Sequence, residues 1–143
     1  MSGRRTTLEK QIQRNIEADL GAEPDLLLLR NSVGKATFTD EEKGEQFHVP
    51  YGLGVGSPDL VGILRLTIKG RVCVSGGKIV GHTKDHLALG VWFCLEVKAG
   101  DEDATDEQKK VHAIWRRFGA LVFVVHSVAE ARAALEEARR VLS

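Results

Sequence analysis

Apolar residues recur every fourth position at Leu8, Ile12, Ile16 and Leu20, so they form one stripe of a helix over 8–20. Thr6 or Thr7 is its candidate N-cap, Glu9 stands in its first turn, and Gly21 is its stop. After Pro24, the run Leu26-Leu27-Leu28-Leu29 reads as a buried strand ending near Arg30-Asn31. Residues 32–57 are polar and glycine-rich, which predicts a long loop with at most a short hairpin. Strand character returns over 59–68 through Leu60, Val61, Ile63, Leu64, Leu66 and Ile68. Lys69-Gly70 predicts a turn, Arg71-Val72-Cys73-Val74 an arm pairing back as a hairpin, and Gly76-Gly77 another turn. The run 83–90 reads as a short helix or an irregular excursion, and Val91 to Val97 as a strong strand. A second helix over 106–118 turns Val111, Ile114, Trp115 and Phe118 inward, with Thr105 and Gln108 at capping-box spacing and Gly119 at its end. Leu121 to Val125 is a short apolar strand of the buried kind, and Ser127 caps a last helix over 128–142. The order helix, strand, strand with a hairpin, strand, helix, strand, helix predicts an α/β fold with a mixed central sheet flanked by helices.

A chain of 143 residues, 43% apolar, fits one domain over 1–143 with one hydrophobic core. No apolar run approaches the roughly 18 residues of a membrane span, and the N-terminus has no apolar signal-peptide region. These features predict a cytoplasmic protein with no membrane partner. The 20 basic and 20 acidic residues cancel, which argues against a general attraction to nucleic acid but leaves local patches open. Basic pairs occur at Arg4-Arg5, Lys109-Lys110, Arg116-Arg117 and Arg139-Arg140. The two cysteines, Cys73 and Cys94, sit among apolar residues and read as buried free thiols.

The candidate chemistry lies in Gly56-Ser57-Pro58-Asp59 and Leu95-Glu96-Val97-Lys98. Glu96 and Lys98 are two apart in a strand and leave the same face of the sheet, while Leu95 and Val97 point to the core. A half-exposed strand with a solvated ion pair has the same pattern, so the pair alone is weak. Asp59 follows Pro58 at the start of a strand, where it projects from a sheet end. If the strands bearing Asp59 and Glu96 are neighbours, the two carboxylates can share one divalent ion. Without a cation, two carboxylates about 4 Å apart repel by roughly 4 kcal/mol at an effective dielectric near 20. Oxygen ligands suit Mg²⁺ or Mn²⁺. Lys98 can orient or deprotonate an attacking water, or stabilise developing charge.

These residues resemble the PD-(D/E)-x-K nuclease superfamily and, within it, the VRR-NUC family. The resemblance rests on an ordered set: Glu9, Arg30-Asn31, Gly54-Val55-Gly56-Ser57-Pro58-Asp59, Glu96-Val97-Lys98, and Thr105-Asp106-Glu107-Gln108. Gly119-Ala120 before a short apolar strand fits as well, so the match covers nearly the whole chain. It implies a restriction-endonuclease-like αβββαβ core and divalent-metal-dependent cleavage of DNA phosphodiesters, leaving a 5′-phosphate. It implies a homodimer acting on branched DNA in the manner of a Holliday-junction resolvase, encoded by a bacterium or its phage. Asp59, Glu96 and Glu9 would hold Mg²⁺ or Mn²⁺, and Lys98 and Gln108 would complete the catalytic set. Glu17 is the competing acid on the first helix. Arg30, Asn31, Lys35 and Lys109 are the candidate DNA contacts, although a solvated surface explains the lysines equally well. The excursion 65–92 departs from the family's simple connection and bears on substrate choice and dimer geometry.

Other readings are weaker. The glycines of 52–56 lead into a strand and lack Gly-Lys-Ser/Thr, so they are not a phosphate loop; they suit a tight turn or close approach to DNA. Cys73, His82, His86 and Cys94 match no common zinc spacing. His48, His112 and His126 have no partner that the sequence identifies, and Trp92 and Trp115 read as core or dimer-interface residues. The alternative function is a non-catalytic DNA-binding module, or a nuclease subunit that needs a partner protein.

Overall fold

A computed structural model describes residues 2–68, 71–83 and 87–143, and only the backbone of residues 2–6, 68, 71–74, 79–83 and 87. The chain runs α1 (Ser2–Leu20), β1 (Leu26–Arg30), β2 (Gly34–Thr39), β3 (Gln46–Tyr51), β4 (Leu60–Ile68), β5 (Arg71–Ser75), β6 (Lys78–Thr83), β7 (Leu87–Val97), α2 (Asp106–Arg117), β8 (Leu121–Val125) and α3 (Val128–Leu142). The fold is α/β. A four-stranded sheet has the order β1-β4-β7-β8, with β4 antiparallel to both β1 and β7, and β8 parallel to β7. Two separate hairpins, β2–β3 and β5–β6, complete the strands.

β7 is buried on both faces from Phe93 to Val97, and its side chains alternate between two layers. Phe93, Leu95 and Val97 enter the main core with Leu60, Leu64 and Val125, and the inner faces of α1 and α3 cover them through Ile16, Leu20, Ala131, Leu135 and Ala138. Cys94 faces the other way, with Val61 and Val122, and lies under Trp115 of α2. The helices therefore flank both faces. Burial raises the Cys94 thiol to about 12, so it is an inert packing group. Arg139 of α3 clamps the α1–β1 turn, contacting Asp25 at 2.6 Å and Glu23 at 2.7 Å. No helix among the described residues is long and apolar enough to cross a membrane.

Several expectations need correction. The helix begins at Ser2, so Thr6 and Thr7 lie inside it, and Leu8 is half exposed rather than part of the buried stripe. β1 is an edge strand: Leu26 is buried, but Leu27 and Leu29 point to an uncovered face. Residues 32–57 hold a six-pair ribbon, Gly34 against Tyr51 through Thr39 against Gln46. Arg71–Ser75 pairs with β6 and not back onto β4. β7 begins at Leu87, earlier than Val91, because it continues the ladder opposite Ile68. The turn at Lys69-Gly70 and residues 84–86 of the excursion lie outside the described residues. So does His86, and with it the zinc question at Cys73 and His82, whose side chains are not described.

Candidate active site

The register places the two motif acids opposite each other. Leu60 pairs with Leu95 across the antiparallel β4–β7 ladder, so one step on, Asp59 stands across from Glu96. Pro58 is buried, Asp59 Oδ2 accepts the Val97 amide at 2.8 Å, and Asp59 O accepts the Asn31 amide at 2.8 Å. These bonds fix the aspartate at the end of β4. Glu96 is 1% exposed, on the α2 side of β7. Its Oε1 takes the Lys98 ammonium at 2.9 Å and the Gln108 amide at 2.5 Å.

Gln108 is delivered by the start of α2. Thr105 Oγ1 accepts the Gln108 N–H at 3.2 Å, and Gln108 Oε1 accepts the Thr105 N–H at 2.8 Å, which closes the capping box. The carbonyl end of the Gln108 amide caps the helix while the nitrogen end holds Glu96. One turn on, His112 is 1% exposed, with Nε2 3.5 Å from Glu96 Oε2. Among the described residues neither atom has a hydrogen-bond partner. Sequence reasoning left His112 without a role; its signal was the i, i+4 spacing from Gln108, which puts both on one helix face.

Glu9 enters from α1 and draws a hydrogen bond from the Ala99 backbone. Burial raises its carboxyl above the usual range; Lys98 opposes this, while Asp59 and Glu102 add to it. Burial, then the charge of Glu96, pushes Asp59 up to about 6. Burial raises Glu96 too, against the hydrogen bond and charge of Lys98. Asp59 and Glu96 therefore titrate as a pair, and burial disfavours ionising both at once. Burial works against the Lys98 charge, but Glu96, Glu9 and Asp59 outweigh it and hold the ammonium protonated. Burial, with Arg116 and Lys98 nearby, lowers His112 and keeps it neutral.

Glu9, Asp59, Glu96, Lys98 and Gln108 thus meet, from α1, the start of β4, the end of β7 and the first turn of α2. Glu17 does not join them: it pairs with Arg30. Asn31 spends its amide inside the protein, donating to Ser57 Oγ at 2.8 Å and Pro58 O at 2.9 Å, and accepting from Leu53 N at 3.2 Å. It ties the glycine loop to Asp59. In that loop Gly56 has φ +82°, and a Cβ there would lie 2.9 Å from Val111 of α2, so the chain needs glycine to pass. Lys109 pairs with Asp103 at 2.7 Å beside the site. Lys35 lines a groove of about 830 Å³ that also includes Asn31, Tyr51, Gly52, Ser57 and Asp59.

Among the described residues no three His, Cys, Asp or Glu side chains already stand as a metal-ligand set. Glu96 Oε1 is held by Lys98 and Gln108, and Asp59 Oδ2 by Val97. No family model, curated protein or solved structure matches the chain.

Proposed function

We propose that the protein is a divalent-metal-dependent, structure-specific DNA endonuclease of the PD-(D/E)-x-K type, its restriction-endonuclease-like αβββαβ core being α1, β1, β4, β7, α2 and β8. The observation that supports this most is the convergence of Glu9, Asp59 and Glu96 around one lysine, with all three carboxyls raised by burial and, in part, by one another. Three acids against one ammonium leave an excess of negative charge that a cation offsets.

The residues fit Mg²⁺ or Mn²⁺. The donors are carboxylate oxygens, and the buried Glu96 Oε2 keeps a lone pair open to a cation even with one donor beside it. Asp59 and Glu96 would hold the ion, with Glu9 joining directly or through water. A cation bound there supplies Lewis acidity toward a phosphoryl oxygen and lowers the pKa of a bound water. The chain's own groups do the rest. Asp59 must release its proton to bind. Lys98, held as an ammonium, places positive charge beside the acids, where the reacting phosphate gains negative charge. Gln108 fixes the Glu96 carboxylate on the α2 side. The groove that joins Lys35 to Asp59 is the path for a DNA strand.

The same reading makes the active form a homodimer on branched DNA, whose two cuts are related by a twofold axis. An uncovered apolar row supports it: Leu27, Ile63 and Trp92 align across β1, β4 and β7, exposed by 55%, 41% and 46%. Purified protein should cleave a synthetic four-way junction in Mg²⁺ or Mn²⁺, and Asp59→Ala and Lys98→Ala should each abolish cleavage while DNA binding persists. Full activity in either variant refutes the reading. A wild-type protein that binds the junction and leaves it intact favours the binding module or partner-dependent subunit.

A further inference from the structure

Resting on that reading, we infer that His112 is a positioning residue for the catalytic carboxylate: its Nε2–H is the donor that holds Glu96 Oε2, as Gln108 and Lys98 hold Oε1. Glu96 is a buried acid gripped on one side only. Its Oε1 has two donors, at 2.5 and 2.9 Å. Its Oε2 is buried and has none among the described residues. The nitrogen that faces it, His112 Nε2, also has no hydrogen-bond partner among the described residues and lies 3.5 Å away. Two orphaned polar atoms facing each other inside a protein each carry an uncompensated desolvation cost, and a hydrogen bond between them removes both costs. A carboxylate oxygen only accepts, so the proton must sit on Nε2. From 3.5 Å a small rotation about either side chain brings the pair to hydrogen-bond distance.

The helix makes this arrangement unusually stiff. Gln108 and His112 are one turn apart on α2, and the Thr105 capping box anchors that turn. The two oxygens of Glu96 are thus referred to one rigid element, one turn apart. Trp115, three residues further, packs against the Cys94 layer and fixes the helix over β7. Carboxylates held this way bind cations more tightly, and losing such a support lowers metal affinity about 10–100-fold.

Two measurements test it. In the ring ¹⁵N spectrum of wild-type protein without added metal, His112 should show the Nε2–H tautomer; an Nδ1–H tautomer overturns the inference. In calorimetric titration with Mn²⁺ alone, His112→Leu should lose at least about tenfold in affinity, and His112→Gln, whose amide nitrogen can occupy the Nε2 position, should stay within about threefold of wild type. Equal affinity in wild type and His112→Leu overturns it. If His112→Leu does not fold, the tautomer and the His112→Gln affinity still decide. A wild type that binds no Mn²⁺ overturns the nuclease reading itself, while the tautomer result stands apart from that failure.

Discussion

Replacing Asp59 by Asn should stabilise the protein while destroying the proposed site. Burial and the Glu96 charge move Asp59 from 3.8 to about 6. The folded chain holds that proton more tightly than the unfolded chain, so stability is greatest below the ordinary aspartate range and falls as pH rises through about 6. By linkage the full loss at neutral pH is about 3 kcal/mol, of which about 1 is already spent at pH 4.5. Asparagine is neutral at every pH. Its oxygen can still accept the Val97 amide. Urea unfolding in EDTA should therefore show Asp59→Asn more stable than wild type by about 1 kcal/mol near pH 4.5 and about 3 kcal/mol near pH 8. Saturating Mn²⁺ should raise the wild-type midpoint and leave the variant unmoved. An asparagine variant less stable than wild type near pH 8, or a difference that does not change with pH, refutes the electrostatic account.

Other expectations follow from single contacts. Gln108→Ala removes both the Glu96 bond and half of the capping box, and should cost about 1–2 kcal/mol in denaturant unfolding with a loss of cleavage; unchanged stability would contradict the dual role. Gly56→Ala forces a side chain into positive φ and against Val111, and should cost about 1–3 kcal/mol by thermal unfolding. His126 is raised above 6.5 by the Glu102 carbonyl and by Glu130. Its stabilising charge is complete below the ordinary histidine range and is lost as pH rises through the folded value. The melting-temperature gap between wild type and His126→Ala should thus narrow from pH 6 to pH 8.5.

The parts of the fold with a buried face were readable from periodicity. β8 and α3 appear where the apolar spacing puts them, because each lays one side on the core, and α2 starts where its capping box puts it. The six-pair β2–β3 ribbon exceeds the short hairpin that the sequence allows within a long loop. Among the described residues its apolar alternation, Ala36 and Phe38 against Val49 and Phe47, joins neither buried cluster, and Phe38 stacks on Phe47. The face of α2 was also misjudged. Val111 and Trp115 do turn inward, but Ile114 and Phe118 are exposed by 56% and 86%. What lies beneath the first half of the helix is the charged Glu96, so the helix turns Gln108 and His112 to it. Two-residue spacing made Glu96 and Lys98 legible as neighbours, and Pro58 made Asp59 legible as a strand-end acid. The convergence of Glu9 depends on the α1 packing angle, which no local pattern encodes. His112 reads as a solitary histidine because the carboxylate it faces is sixteen positions away along the chain and 3.5 Å away in space.

A crystal soaked in Mn²⁺ and measured for anomalous scattering tests the central claim most directly. A single strong peak bounded by the Asp59 and Glu96 carboxylates, with Glu9 beside it, is the expected result. A saturating soak that leaves those acids bare, or places manganese only elsewhere on the molecule, would contradict the account.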